Sequence, residues 1–142
     1  MTKRGKLGLI VVFALFFAGV SLGSCKKYSS PNKVKRVLTK GTWKVNYLFV
    51  DGVDISNEFS AYKFDFAEDG DITVIGEETI DGSWDTDVNK NPTNLILQLT
   101  PFLPFNELNA DWTLSRLSKD KIQGEVIING GSNTDILILT PG

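Results

Sequence analysis

The 142-residue chain contains no histidine, one cysteine and one methionine. Without histidine, the commonest general base and the commonest metal ligand are both missing. With Cys25 alone, no internal disulfide can form. The serines have no histidine partner, and neither Ser-x-x-Lys nor Gly-x-Ser-x-Gly occurs. There is no Gly-rich phosphate loop; Gly130-Gly131 reads as a turn that needs positive φ. Asp85-Thr86-Asp87-Val88-Asn89-Lys90-Asn91 has oxygen ligands at alternate positions, as a calcium loop does. However, Lys90 stands where glycine belongs, Pro92 follows, and Ile96 replaces the closing glutamate, so a polar turn is the reading. Glu77 and Glu78 are adjacent and would face opposite sides of a strand, so they cannot form one acid/base dyad. The expectation is a non-enzyme, with no catalytic residue, cofactor or metal assigned.

Acid is absent from the first 40 residues, which carry nine lysines and arginines. From Gly41 onward there are 17 acids against six basic residues, a formal charge of −11. Such a body repels phosphate backbones, so nucleic acid is not an expected partner. A basic stem suits anionic headgroups, though it also suits a plain soluble linker.

Lys3, Arg4 and Lys6 precede Leu7–Leu22, a run of 16 residues broken only by glycine and serine. As a helix the run would span about 24 Å at about 1.5 Å per residue. A hydrocarbon core is about 30 Å thick, so the run fits a signal peptide better than a permanent span. It ends in Leu22-Gly23-Ser24-Cys25, which resembles the lipobox of bacterial lipoproteins. The resemblance implies a diacylglyceryl group on the Cys25 thiol, cleavage before Cys25, and acylation of the new amino end by a palmitate-class chain. Several acyl chains anchor stably at about 0.8 kcal/mol per buried methylene. The expected division is a signal peptide over 1–24, a lipidated basic tether over 25–33 and one domain over 34–142. The expected location is the cell envelope, lipid-anchored on the periplasmic face of the outer membrane. Lys26 rather than Asp follows the cysteine, and Lys26-Lys27-Tyr28-Ser29-Ser30 holds no acid.

Ser30 can cap a short helix with Pro31 at its first position and Gly41 as its stop. From there the pattern has period two. Trp43, Val45, Tyr47 and Phe49 fall on one face, and Tyr62, Phe64 and Phe66 alternate with Lys63 and Asp65. Asp51-Gly52 and Glu68-Asp69-Gly70-Asp71 read as turns, and Asp54–Ser60 as one or two helical turns. Further strand-like segments are Ile72–Ile75, Thr79–Thr86, Asn94–Thr100, Asn109–Leu117, Ile122–Ile128 and Thr134–Thr140. About eight short strands with short connections predict an all-β fold, a small antiparallel up-and-down barrel. No crossover helix is available for a parallel sheet.

Gly41-Thr42-Trp43 after a capping helix looks like the Gly-x-Trp motif of lipocalins. With Tyr62-x-Phe64-x-Phe66, Gly82-Ser83-Trp84, Trp112-x-Leu114 and Leu137-Ile138-Leu139, the pattern is similar to lipocalin-like domains of Bacteroidota lipoproteins over about residues 34–140. The resemblance implies a barrel that holds a small apolar or amphipathic ligand. Tyr47, Phe49, Tyr62, Phe64, Phe66, Trp84, Phe102, Phe105 and Trp112 are then the candidate lining. The Thr-Asp-Tyr motif is absent, and Arg116, the only arginine after residue 40, is the one that could stack on Trp43. Only two residues follow the last strand-like segment, where lipocalins carry a long helix. A filled interior with a scaffold or accessory role therefore stands beside the ligand reading, its protein partner unspecified. Pro101-Phe102-Leu103-Pro104-Phe105 is an apolar loop where polar residues are the norm. It is expected to line the mouth, meet a partner or lipid, or plug the barrel.

Overall fold

The computed structural model describes residues 30–142 apart from 88, 91–92 and 129–132. The signal segment, Cys25 and all of the tether before Ser30 lie outside the described residues. Helix α1 spans Pro31–Leu38, capped by Ser30, whose hydroxyl accepts the Lys33 N–H at 3.3 Å. Val34 and Leu38, four apart, put the buried stripe on one side, while Lys33, Lys35 and Arg36 face solvent. The helix stops at Thr39, whose N–H and hydroxyl both return to the Lys35 carbonyl. Gly41 is therefore not the terminator that the sequence suggested, because Thr39 already satisfies the last turn.

Nine strands follow: β1 (Thr42–Val50), β2 (Val53–Asp54), β3 (Lys63–Phe66), β4 (Asp71–Ile75), β5 (Thr79–Asp85), β6 (Asn94–Gln98), β7 (Ala110–Leu117), β8 (Ile122–Ile128) and β9 (Asn133–Pro141). Each pairs antiparallel with its neighbours in the order β2-β1-β3-β4-β5-β6-β7-β8-β9, and β9 returns to β1. Eight strands thus close into a barrel, with β2 an appended hairpin arm on β1. Asp51 and Gly52, at φ 51° and 80°, make the tight turn of that hairpin, a conformation matched to strand twist. Closure satisfies the edge of β1 through six β9 partners, from Trp43 opposite Pro141 to Phe49 opposite Ile136.

Alternation fills the interior. Phe64, Phe66, Ile72, Val74, Leu95, Leu97, Trp112, Leu114, Leu137 and Leu139 all point inward and are buried in one cluster. Burying each such side chain is worth about 1.5–3 kcal/mol. Gly124 makes room for this packing: a Cβ there would lie 2.8 Å from that of Trp112.

The period-two reading of β1 fails at its middle. The β1–β9 register shifts between Val45 and Tyr47, so Asn46 is the extra residue of a bulge. Trp43 and Val45 are buried, but the inward role then passes to Leu48, which is fully buried. Tyr47 and Phe49 turn to the outer face and lie half-buried, their rings stacked at 6.2 Å and 9°. One inserted residue moves every later side chain to the opposite face.

Because neighbouring strands alternate in direction, successive connections alternate between the two ends of the barrel. One end, here the helix end, carries α1, the β3–β4 turn, the β5–β6 loop, the β7–β8 turn and Gly142. The other, the distal end, carries the segment from Asp51 to Tyr62 and the β4–β5 and β6–β7 connections.

Candidate functional site

Among the described residues, both ends carry a cover, built by different means. At the helix end, Val34 and Leu38 of α1 are fully buried against the barrel. The buried Trp43 indole donates to the Leu38 carbonyl at 2.9 Å, fixing the helix to β1. At the distal end, two short 3-10 turns provide the cover. Ser56–Phe59 delivers Phe59, which is fully buried, and Phe105–Leu108 delivers Phe105 and Leu108, which are also buried. Phe105 meets Phe59 edge-on at 5.9 Å and Tyr62 at 5.0 Å, so three rings cross the mouth. The Trp112 indole donates to the Leu108 carbonyl at 3.0 Å, tying this turn to the wall. Trp84 does the same for the β3–β4 turn through the Ala67 carbonyl at 2.9 Å. All three tryptophans act as clasps between barrel wall and a connecting segment, satisfying the indole N–H that burial would otherwise strand.

The candidate lining residues therefore divide. Phe64, Phe66, Trp84, Phe105 and Trp112 are buried in the core, with Phe66 edge-on to Trp84 at 6.1 Å. Tyr62 is half-buried at the mouth. Tyr47 and Phe49 are outside the barrel because of the bulge. Phe102 is 74% exposed at the distal end. These nine side chains do not form one surface. Cys25 lies outside the described residues. Arg116 is exposed on β7, whereas the Trp43 ring is buried under α1.

The apolar loop splits at Pro104. Phe105 folds down as a plug, whereas Phe102 and Leu103 are each 74% exposed. Val53 and Ile75, at 57% and 44%, are the other large apolar side chains exposed among the described residues. All four lie at the distal end. Its described connections carry Asp51, Asp54, Glu58, Glu77, Glu78 and Glu107, and the one cation at their border is the exposed Lys63, the first residue of β3 and the partner of Ile75. The connecting segments of the helix end carry seven basic and four acidic residues, the bases being Lys33, Lys35, Arg36, Lys40, Lys90, Lys119 and Lys121. Sequence reasoning recorded the acidic body but missed this polarity, since acids spread from Asp51 to Glu107 converge only when the strands alternate. Nor did it find the inward, buried Asp135, whose carboxylate accepts the Asp51 N–H at 3.0 Å and ties β9 to the first turn.

Asp54 accepts from the hydroxyl of Ser56 and from its N–H at 3.0 Å, and these bonds hold its carboxyl below the usual range. Ser56 in turn accepts the Leu48 N–H at 2.8 Å, filling the gap where β3 diverges from β1. A groove of about 770 Å³ runs outside the barrel, between α1, the β3–β4 turn and the ends of β5 and β6. Its walls mix Lys35 with Glu68, Asp69, Asp71 and Asp85, and the base includes Trp84 and Ile96. The Asp85 and Asp87 carboxylates accept the Thr86 and Asn89 N–H groups. Among the described residues, no three His, Cys, Asp or Glu side chains cluster to hold a metal ion. No described helix is long and apolar enough to cross a membrane. No family model matches the chain, and no curated protein matches it.

Proposed function

We propose that the chain is a lipid-tethered, non-enzymatic interaction module whose packed, lipocalin-like barrel works through its outer surface. The observation that carries this reading is the filled interior: the inward aromatic side chains are buried in one cluster, and Phe59, Tyr62 and Phe105 close the mouth. Such a core leaves the rings to hold the wall rather than a guest.

The tether follows from Leu22-Gly23-Ser24-Cys25 and its apolar run. Only five residues separate Cys25 from Pro31, a reach of at most about 20 Å at roughly 3.3–3.6 Å each. Acylation at Cys25 would hold the helix end near the bilayer of the cell envelope. Charge acts in the same direction, since the basic helix end is drawn to anionic headgroups and the acidic distal end is repelled. The barrel would stand with its distal end outward. A periplasm-facing outer-membrane location is consistent with the residues after Cys25.

One observation favours the second reading, a small apolar ligand: the mouth is covered by loop segments, which open more readily than strands. Mass spectrometry of protein purified from its own host tests both. Acyl mass on the intact chain, lost in Cys25→Ala, supports the tether; a wild-type chain without it overturns the tether. Under native conditions, a chain with no further added mass supports the packed module. A retained small molecule would replace it with the ligand reading.

A further inference from the structure

We infer that the distal end of the barrel is a docking surface for a basic, amphipathic polypeptide segment. This rests on the reading of the barrel as a packed module that acts through its outside. Two independent features meet there. Phe102 and Leu103 stand 74% exposed on one loop, with Val53 and Ile75 exposed at the same end. Nothing in the fold requires this exposure: the same loop buries Phe105 and Leu108, so the mouth is already plugged without Phe102 and Leu103. Around them the described connections hold six carboxylates, against one cation at their border, Lys63, which pairs with Ile75.

Charge decides the occupant. An anionic bilayer would be repelled by the acids and would leave the apolar tips unpaired. A neutral apolar partner would bury or crowd uncompensated carboxylates. A segment that carries lysine or arginine beside apolar side chains satisfies both features. It covers Phe102 and Leu103 while its cations meet Glu77, Glu78 and Glu107. Apolar anchors then supply affinity, and the acidic rim supplies encounter rate and selectivity. A tether at the helix end would leave this surface facing outward.

The test uses the full chain in phosphatidylcholine vesicles and a labelled helical peptide of leucine and lysine, with protein-free vesicles subtracted. Binding is read by fluorescence anisotropy. Phe102→Ser with Leu103→Ser is expected to weaken binding about tenfold, the loss that accompanies removal of one or two anchors. Glu77→Gln, Glu78→Gln and Glu107→Gln together are expected to weaken it by about as much at low salt. They should also flatten its decline towards physiological ionic strength of about 0.15 M. The matched set at the other end, Glu68→Gln, Asp69→Asn and Asp87→Asn, is expected to change binding less than about twofold, since exposed charges away from an interface contribute little. Equal losses from both charge sets would reduce the effect to general attraction and overturn the proposal. So would failure of the wild type to bind, or equal binding of a leucine–glutamate peptide. Binding to anionic vesicles that depends on Phe102 and Leu103, or self-association in sedimentation lost in the same variant, would replace the occupant and equally overturn it. Missing acyl mass at Cys25 removes the tether but leaves these outcomes standing, so the two failures are separable.

Discussion

The two ends of the barrel solve one problem in different ways. Each must cover a ring of apolar side chains. The helix end uses a continuous secondary element, α1, whose backbone is satisfied internally and whose Val34 and Leu38 do the covering. The distal end uses two 3-10 turns and three aromatic rings. A helix brings its polar groups already paired, so its outer face is free for charge, here mainly positive. Loops spend side chains and backbone on local bonds such as those of Asp54 and Ser56, and present a more irregular surface. The difference teaches that cover and surface chemistry are separable: both ends are covered, yet among the described residues one is basic with no large apolar side chain exposed, the other acidic with apolar tips.

The comparison is broken most forcefully at the plugs. If the distal cover is as integral as the helix, Phe105→Ala will cost about 3–5 kcal/mol, the usual loss for a buried phenylalanine. Urea unfolding measures it. A loss below about 1 kcal/mol would mean that the loop merely rests on the mouth. Leu38→Ala should cost about 2–5 kcal/mol by the same measurement, since Leu38 is fully buried under α1. Trp43→Phe keeps an aromatic ring but removes the donor to Leu38 and part of the buried indole; the carbonyl left unpaired alone is expected to cost about 1–3 kcal/mol. Hydrogen exchange should then rise in α1 and not in the distal turns.

The smallest effect is set by pH. Ser56 lowers the Asp54 pKa in the fold, so ionised Asp54 favours the folded state. That contribution is complete above the unfolded aspartate value of about 3.9 and fades as pH falls through the lower folded value. Asp54→Asn should therefore narrow the stability gap between neutral and acid conditions slightly, with the change confined to the distal end. Acid unfolding curves that superimpose for the two proteins would show that the Ser56 bonds carry no coupling.

Much of this architecture is legible in the residues. Alternation in Tyr62–Phe66, the Asp-Gly turns and the short connections specify an antiparallel barrel, because side-chain period and turn chemistry are local properties. Ser30 and Pro31 likewise announce the start of α1. The bulge at Asn46 is not legible, since Trp43, Val45, Tyr47 and Phe49 keep perfect alternation in the sequence and only the pairing with β9 breaks it. Pro101–Phe105 is legible as unusual, but the division between the plugging Phe105 and the exposed Phe102 depends on what Phe59 and Tyr62 offer across the mouth. The distal acids escape a linear reading for the same reason: proximity there is created by topology.

The seam between β1 and β9 also has a temporal meaning. The Gly142 N–H donates to the Thr42 carbonyl at 3.0 Å, and the Thr42 hydroxyl donates to the Gly142 carbonyl at 2.9 Å, across 100 positions of chain. The first strand to leave the ribosome must wait for the last before its open edge is sealed. Contacts so remote in sequence slow folding and prolong exposure of a sticky intermediate. Until β9 has paired, β1 keeps an open edge, and deleting part of β9 is expected to be felt first as aggregation.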